Sequence, residues 1–97
     1  MTECGHLDQV RIEADLDSVK GCEVCLATGG TWVHLRMCLT CGFVGCCDDS
    51  PGTHARLHAG EIGHPLVQSA EPGERWAWCY PDEVLFKEPP PVAGEAS

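Results

Sequence analysis

The sequence predicts a small α+β domain, a twisted antiparallel β-sheet of about five strands with one or two helices packed on it. Three observations lead to this prediction. Short segments alternate apolar and polar residues, and one segment has the start and stop signals of a helix. Eight cysteines and five histidines in 97 residues also exceed what packing requires, which indicates that metal ions or disulfides hold the domain together.

Four segments are predicted to form strands. Residues 10–14 alternate apolar and charged side chains, and residues 31–38 and 64–70 are also strand-like. In the fourth segment, ERWAWCYP, the aromatic residues fall on one face and Cys79 on the other, because side chains alternate along a strand. The aromatic residues of that face are Trp76, Trp78 and Tyr80.

The segment DSPGTHARLHAGEIG, residues 49–63, predicts a helix. Its capping candidates are Ser50 or Thr53 at the start and Gly60 or Gly63 at the end. His54 and His58 then lie one turn apart on the same side of the helix. A second, short helix is predicted near residues 13–21.

The charge pattern argues against nucleic acid as a partner. The chain has fifteen Asp and Glu and only six Lys and Arg, which gives a net charge of −9. The basic residues are scattered singly and do not form a phosphate-binding patch. No segment approaches the roughly 20 apolar residues of a membrane span, and the N-terminus lacks the pattern of a signal peptide. We therefore expect a cytoplasmic monomer without membrane contact, in a reducing compartment that favours metal binding over disulfides. The even number of cysteines leaves a secreted disulfide scaffold as the alternative.

The last eleven residues, KEPPPVAGEAS, contain three consecutive prolines followed by small and polar residues. Such a composition favours extended or disordered chain over packing. The sequence therefore predicts one domain over residues 1–86 and a disordered, proline-rich tail over residues 87–97.

The candidate zinc ligands come in four pairs: Cys22 and Cys25, Cys38 and Cys41, Cys46 and His54, and His58 and His64. Each CxxC pair suits a turn that directs both sulfurs at one tetrahedral ion. A redox CxxC would require a strand-to-helix context resembling thioredoxin, which neither pair has.

The pairs can be combined in chain order or alternately. We prefer the alternate combination, because interleaved sites constrain a short chain more than two independent loops do. It gives two zinc sites, the first with Cys22, Cys25, Cys46 and His54 and the second with Cys38, Cys41, His58 and His64. Cys47 adjoins Cys46 and is the alternative ligand of the first site, because neighbours on extended chain face opposite ways and only one of them can reach a given zinc.

The motifs CEVC, CLTCGFVGC, HARLH and GHP, with CGH near the start and WCY near the end, resemble a UBP-type zinc finger. This is the ubiquitin-binding finger of ubiquitin-specific proteases and of a histone deacetylase. The resemblance runs from about residue 4 to residue 82, and members with three zinc ions have the same crossed pairing. The family's spacing of four residues after Cys41 favours Cys46 as the ligand and implies that Cys47 is a small buried apolar residue. The resemblance also implies a third zinc site, with a carboxylate replacing one family cysteine: Cys4, His6, Cys79 and Asp82.

Binding members of that family hold the free diglycine C-terminus of ubiquitin in an aromatic pocket with the help of an arginine. The resemblance implies that Trp78 and Tyr80 belong to such a pocket. The arginine of the family's CGR motif is replaced here by Asp48, which would repel a carboxylate. Arg36 stands where the family has a second pocket tryptophan. Arg36 is the candidate for restoring the positive charge lost at Asp48, and Trp32 is the candidate for replacing the missing tryptophan ring.

Zinc ions with four protein ligands have no open position for water, so we expect structural metals and no enzymatic activity. Two functions compete. The first is a module that captures a protein C-terminus, that of ubiquitin or of another protein. The second is a zinc-stabilised interaction scaffold without such a pocket, which binds through its acidic surface or its tail. A zinc or redox sensor that uses Cys47 is a third hypothesis.

Overall fold

A computed structural model of the protein describes residues 5–14, 19–71 and 73–93. The strands are β1 (Leu35–Cys38), β2 (Val44–Cys46), β3 (Leu66–Ser69), β4 (Ala77–Cys79) and β5 (Val84–Phe86). The helices are α1 (Glu23–Thr28) and α2 (His54–Ile62), preceded by a 3-10 turn at Leu7–Gln9. The strands form one antiparallel sheet in the order β2-β1-β3-β4-β5, which confirms the predicted α+β architecture. No helix in these ranges is long and apolar enough to cross a membrane.

The register of the sheet separates two faces. Val67 of β3 pairs with Trp78 of β4, which in turn pairs with Leu85 of β5, so these side chains share one face. Cys79 is fully buried on the other face, whereas Trp78 is half-buried. The predicted split between the aromatic residues and Cys79 is confirmed.

The apolar core is small and includes cysteines. Beyond Leu39, Leu66, Val10 and Val67, the fully buried side chains are chiefly cysteines. A domain of this size buries only about 60 to 65 per cent of the surface that its unfolded chain exposes, so packing alone gives it marginal stability. The cysteine clusters are therefore part of what holds the sheet and helices together.

Helix α2 begins without the expected side-chain cap and ends at one of the two glycines predicted to end it. Thr53 precedes it in the left-handed conformation, at φ 45°, and its hydroxyl caps no helical N–H. The first N–H of the helix, that of His54, is instead donated to the sulfur of Cys46 at 3.2 Å. At the other end Gly63, at φ 81°, donates its N–H to the carbonyl of Ala59, in agreement with one of the two predicted ends.

Gly45 sets the distance between α2 and β2. A Cβ atom at this position would lie 2.6 Å from the backbone nitrogen of Ala55 in α2. A side chain there would push the helix away from the strand. The close approach keeps α2 near the cysteine at the end of β2.

Residues 10–14 do not form the predicted strand, and the chain bends at Ile12. The N–H groups of Arg11 and Ile12 both donate to the carbonyl of Leu39, so a regular ladder does not develop. The alternation itself holds, because Val10 is buried and Arg11 is exposed. The sequence pattern identified the buried side chains correctly and their backbone pairing incorrectly.

The second helix differs in position from its prediction near residues 13–21. Residues 15–18 of that segment lie outside the described residues, and those on either side are not helical. The helix occurs directly afterwards, at Glu23–Thr28, where Cys22 acts as its N-cap. The first CxxC pair thus begins a helix of six residues. Six residues are too few for apolar periodicity to predict a helix.

Part of the segment predicted as a tail lies against the domain. Val92 packs on a core cluster that includes Val10, and the N–H of Ala93 donates to the carbonyl of Val10 at 2.7 Å. Prolines restrict the unfolded chain, so ordering this segment costs less entropy than ordering an ordinary one. Residues 94–97 lie outside the described residues, and the domain boundary at residue 86 stays a prediction.

Candidate metal centres and the adjoining pocket

The first cluster joins three buried cysteines to one histidine: Cys22, Cys25, Cys46 and His54. The sulfur of Cys22 accepts the N–H of Cys25 at 3.4 Å, so the first turn of α1 brings both sulfurs together. Strand β2 supplies Cys46 and the start of α2 supplies His54. Nδ1 of His54 lies 3.3 Å, 3.5 Å and 3.4 Å from the sulfurs of Cys22, Cys25 and Cys46, respectively.

The second cluster lies where the β1–β2 turn meets the second turn of α2: Cys38, Cys41, His58 and His64. The sulfur of Cys41 lies 3.4 Å from Nε2 of His58, and the sulfur of Cys38 lies 3.5 Å from Nδ1 of His64. The two ring nitrogens are 3.2 Å apart. Cys41 is exposed, so this cluster is more open to solvent than the first.

These separations fit tetrahedral zinc. With Zn–S of about 2.3 Å and Zn–N of about 2.0–2.1 Å, a tetrahedron places sulfur about 3.6 Å from nitrogen and two nitrogens about 3.3 Å apart. The sulfur–nitrogen distances in the two clusters are 3.3 to 3.5 Å, and the nitrogen–nitrogen distance is 3.2 Å. The two clusters therefore suit two zinc ions, and their members interleave along the chain.

Protonation of the clusters is coupled to metal binding. Burial, together with the hydrogen bond and charge of Cys22, raises the pKa of Cys25 to about 12. Without metal this thiol keeps its proton at neutral pH, so zinc binding has to release it. Burial and the neighbouring His64 lower the pKa of His58, which leaves its imidazole neutral and able to bind a metal.

A third group brings together His6, Cys79 and Asp82. Nδ1 of His6 lies 3.5 Å from the sulfur of Cys79 and 3.0 Å from Oδ2 of Asp82. The same carboxylate oxygen accepts the N–H of Gly5 at 2.8 Å. Three of the four side chains named by the sequence resemblance are thus adjacent, and the fourth, Cys4, lies outside the described residues.

Cys47 is directed away from the first cluster, as expected for the neighbour of a ligand on extended chain. Its side chain is buried, and its sulfur lies 3.4 Å from the hydroxyl of Ser50. It also lines a cavity on the aromatic face of the sheet. Cys46 and Cys47 therefore face different environments although they are adjacent in sequence.

We call this cavity, of about 540 Å³, the aromatic pocket. Its walls are aromatic and its rim carries charges of both signs. The aromatic residues are Trp76, Trp78 and Tyr80, the cations are Arg36 and Lys87, and the anions are Asp48 and Asp49. An anionic end group and an adjoining chain could both make favourable contacts there.

Two arginines lie on the aromatic rings. The guanidinium of Arg36 lies 4.4 Å from the ring centre of Trp76, and Arg36 also donates from Nη1 to the carbonyl of Leu35 at 3.0 Å. The guanidinium of Arg56 lies 5.9 Å from the ring centre of Tyr80. Stacking on Trp76 limits the rotamers of Arg36 and so holds its charge in place.

Arg56 also pairs with the acidic residue that replaces the family's arginine. Its Nη2 lies 3.1 Å from Oδ2 of Asp48. Burial, followed by the charge of Asp48, raises the pKa of Tyr80 to about 12. The Tyr80 hydroxyl therefore stays protonated at neutral pH and can donate a hydrogen bond to an anion.

The structure brings three of the four predicted ligand-binding residues, Arg36, Trp78 and Tyr80, to this pocket. Trp32 is not among its lining residues. The Trp32 ring packs against the core beside the first cluster, where a Cβ at Gly21 would be 2.6 Å from it. The loop before β1 thus directs this ring away from the aromatic pocket, and Trp32 is removed from the candidate set.

Sequence reasoning missed Arg56 and Lys87. A signal existed for each. Arg56 follows His54 by two positions, so it points away from the metal-facing side of α2. Lys87 follows Leu85 by two positions and continues the same face of β5, although the sequence analysis assigned it to the tail.

Comparisons with known proteins agree with this geometry. The family model described as "Zn-finger in ubiquitin-hydrolases and other protein" matches residues 22–90. The solution NMR structure of protein RPA1320 from Rhodopseudomonas palustris is similar, with 44% identity, a TM-score of 0.75 and coverage of 96% of this chain and 98% of that chain. Among curated proteins, none matches. The crossed cysteine and histidine clusters, the sheet and the family match together identify the chain as a member of the UBP-type zinc-finger family.

Proposed function

We propose that this zinc-binding module captures a free protein C-terminus in the aromatic pocket, through Arg36, Trp78 and Tyr80. The observation that carries the proposal is the combination, in one cavity, of aromatic walls with a stacked guanidinium. A ubiquitin-like diglycine tail is the ligand that family membership suggests, since glycines let the chain approach the rings closely. The captured group is defined by its chemistry, a main-chain carboxylate.

Arg36 is the proposed partner of that carboxylate. Its side chain is half-buried, and contact with Trp76 holds the planar guanidinium in place before a ligand arrives. A pre-positioned arginine loses little entropy when it forms charge-assisted hydrogen bonds with a carboxylate. Lys87 and the protonated hydroxyl of Tyr80 add a second charge and a second donor.

Asp48 does not leave the pocket anionic. The pair between Asp48 and Arg56 offsets the negative charge that replaces the family's arginine. Arg36 and Lys87 then oppose only Asp49 among the remaining charges that line the cavity. Arg56 therefore reduces the repulsion between Asp48 and a bound carboxylate.

We propose binding, without catalysis, as the activity of the domain. In the first two clusters, four protein side chains surround each zinc position, so neither zinc would offer an open site to water. The zinc ions would stabilise the fold. We further propose that His6, Cys79 and Asp82 hold a third zinc together with Cys4.

The test is a titration followed by NMR of the backbone amides and the indole N–H groups. A short peptide that ends in Gly-Gly with a free carboxylate is expected to shift the signals of Trp78 and Tyr80. The same peptide with an amidated C-terminus is expected to shift neither. Equal shifts with both peptides, or none with either, would refute carboxylate capture, and the second result would favour the scaffold without a tail pocket.

Variants of Arg56 and Asp48 test whether their ion pair reduces the repulsion between Asp48 and the bound carboxylate. Arg56→Leu is expected to weaken binding of the free-carboxylate peptide by about 3- to 10-fold, because it exposes the ligand to the charge of Asp48. Asp48→Asn in the same background is expected to restore the affinity. Calorimetric titration of the two single variants and the double variant measures the coupling.

Arg75→Leu is the matched control for this cycle. Arg75 is also an exposed arginine in an ion pair, with its Nε 2.7 Å from Oε2 of Glu88, but it does not line the aromatic pocket. Its replacement is expected to leave the peptide affinity unchanged. Failure of Asp48→Asn to rescue Arg56→Leu would show that Arg56 does not act by neutralising Asp48.

A further inference from the structure

Strand β5 forms an open edge of the sheet. It is the last strand in the order β2-β1-β3-β4-β5, and among the described residues it pairs only with β4. The chain that follows β5 leaves this edge, since Glu88 pairs with Arg75, which lies just before β4. Residues 89–91 then line a cavity with Gln68, whose side chain is on the face of the sheet opposite the aromatic pocket. The tail therefore passes under the sheet and does not cover the edge.

The hydrogen-bond register shows which backbone groups face the open edge. The N–H of Tyr80 donates to the carbonyl of Pro65, on the side of β3. Backbone groups point to alternate sides along an antiparallel strand, so Trp78 also directs its N–H and C=O toward β3 and not toward β5. Leu85 stands opposite Trp78 in the register, as a pair that exchanges no hydrogen bonds. The N–H and C=O of Leu85 therefore point away from β4, to the open edge.

The side chains along this edge are complementary to themselves. Leu85 is 60% exposed, and the exposed residues two positions before and after it, Glu83 and Lys87, have opposite charges. In an antiparallel pair of β5 strands centred on Leu85, Glu83 of each copy lies opposite Lys87 of the other. Val84 of each copy likewise lies opposite Phe86 of the other. Opposite charges and apolar pairs at directly opposed positions both stabilise paired strands.

We infer that β5 is a self-association surface, which pairs with β5 of a second copy of this chain in the antiparallel register centred on Leu85. The N–H of Leu85 in each copy donates to the carbonyl of Leu85 in the other, and two five-stranded sheets become one. The sequence led us to expect a monomer, because the order of strands in a sheet, and with it the open edge, cannot be read from alternating patterns.

The pairing brings two aromatic pockets together. A two-fold axis perpendicular to the joined sheet keeps both pockets on the same face. Trp78 and Leu85 of both copies lie in one row across the strands, so strand spacings of about 4.8 Å place the two Trp78 backbones about 14 Å apart. Leu85 of the second copy extends the wall that Leu85 already contributes to the pocket. The dimer thus presents two pockets side by side, whatever ligand they bind.

Charge reversal tests both the pairing and its register. Sedimentation of the zinc-loaded protein is expected to show a reversible dimer between about 10 µM and about 1 mM, a weak one because a short strand buries little surface. Glu83→Lys and Lys87→Glu are each expected to weaken the dimer by about 5- to 10-fold, because each places like charges opposite one another at both ends of the paired strands. A mixture of the two variants is expected to form a heterodimer, since only mixed pairs oppose unlike charges.

Glu61→Lys is the matched control. It makes the same change of net charge as Glu83→Lys at an exposed position of α2, away from β5, and is expected not to weaken the dimer. Leu85→Pro is a second test, because it removes an N–H that faces the open edge and not β4. We expect this variant to be folded and monomeric. Circular dichroism and zinc content establish that each variant is folded.

The outcomes decide between occupants of the edge. A protein that stays monomeric at about 1 mM, or a dimer that survives both Glu83→Lys and Leu85→Pro, would overturn the inference. Failure of the mixed variants to associate would overturn the antiparallel register. The amide signal of Leu85 is expected to shift with protein concentration, whereas a shift only on addition of the Gly-Gly peptide would assign the edge to a ligand strand. None of these results decides whether the aromatic pocket captures a carboxylate, so the two proposals fail separately.

Discussion

Cys46→Ser is expected to unfold the domain, whereas Cys47→Ser is expected to leave it folded. The two residues are adjacent, both are buried, and both replacements exchange sulfur for oxygen. Only Cys46 belongs to a metal cluster, and a neutral hydroxyl is not among the ligands of structural zinc. Structural zinc contributes about 10–16 kcal/mol in small zinc domains, as much as the whole stability of many domains.

The effect of Cys46→Ser extends beyond one coordination bond. The sulfur of Cys46 also accepts the first N–H of α2, and that helix supplies a histidine to each of the first two clusters. Loss of the first cluster therefore disturbs the second. In Cys47→Ser the new hydroxyl can still bond to Ser50, so we expect a cost of roughly 1 kcal/mol.

Elemental analysis, far-UV circular dichroism and thermal unfolding measure both variants. Chelation of zinc from the unmodified protein is expected to reproduce the spectrum of Cys46→Ser, and added zinc to reverse it. A native spectrum for Cys46→Ser, or one that persists after complete chelation, would show that packing and not metal holds the fold. Equal destabilisation by the two serine variants would reject the distinction between Cys46 and Cys47.

The metal clusters could be predicted because ligand chemistry is local in sequence. Each CxxC is a short turn whose geometry needs no knowledge of the rest of the fold, and the histidine spacing of α2 follows from the helical period. The crossed pairing was chosen on chain entropy and agrees with the clusters that the fold assembles. The sheet was predicted to the extent that alternating patterns identify its faces.

What could not be predicted depends on distant backbone contacts. The loop before β1 decides whether Trp32 reaches the aromatic pocket, and the approach of α2 to Gly45 decides whether Arg56 reaches Tyr80 at the wall of that pocket. Neither feature leaves a periodic signal in the sequence. Residues 10–14 have the pattern of a strand, but two N–H groups share the carbonyl of Leu39. In both cases tertiary contacts override a correct local pattern.

Arg36→Glu is expected to reduce the affinity for a free C-terminal carboxylate by about 100-fold or more. The substitution removes a charge-assisted contact and places a like charge beside the ligand, and loss of such a contact costs about 2–5 kcal/mol. About 2.7 kcal/mol corresponds to 100-fold in the dissociation constant. Calorimetric titration with the peptide that ends in Gly-Gly measures the change.

Arg11→Glu is the control, since it makes the same change of charge at an exposed position that does not line the aromatic pocket. It is expected to change the affinity by less than about 3-fold, because salt screens the interaction between a distant exposed charge and the ligand. If both variants weaken binding equally, the net charge of the protein and not a contact at Arg36 governs the affinity. The amidated peptide is expected to bind neither the unmodified protein nor either variant.

Arg36→Lys separates the charge of Arg36 from its position. Lysine keeps the positive charge but lacks the planar group that stacks on Trp76 at 4.4 Å, so its ammonium is not held at one place. We expect an affinity between those of the unmodified protein and Arg36→Glu. Full affinity in Arg36→Lys would mean that charge alone suffices, whereas affinity as low as in Arg36→Glu would mean that stacking on Trp76 creates the carboxylate site.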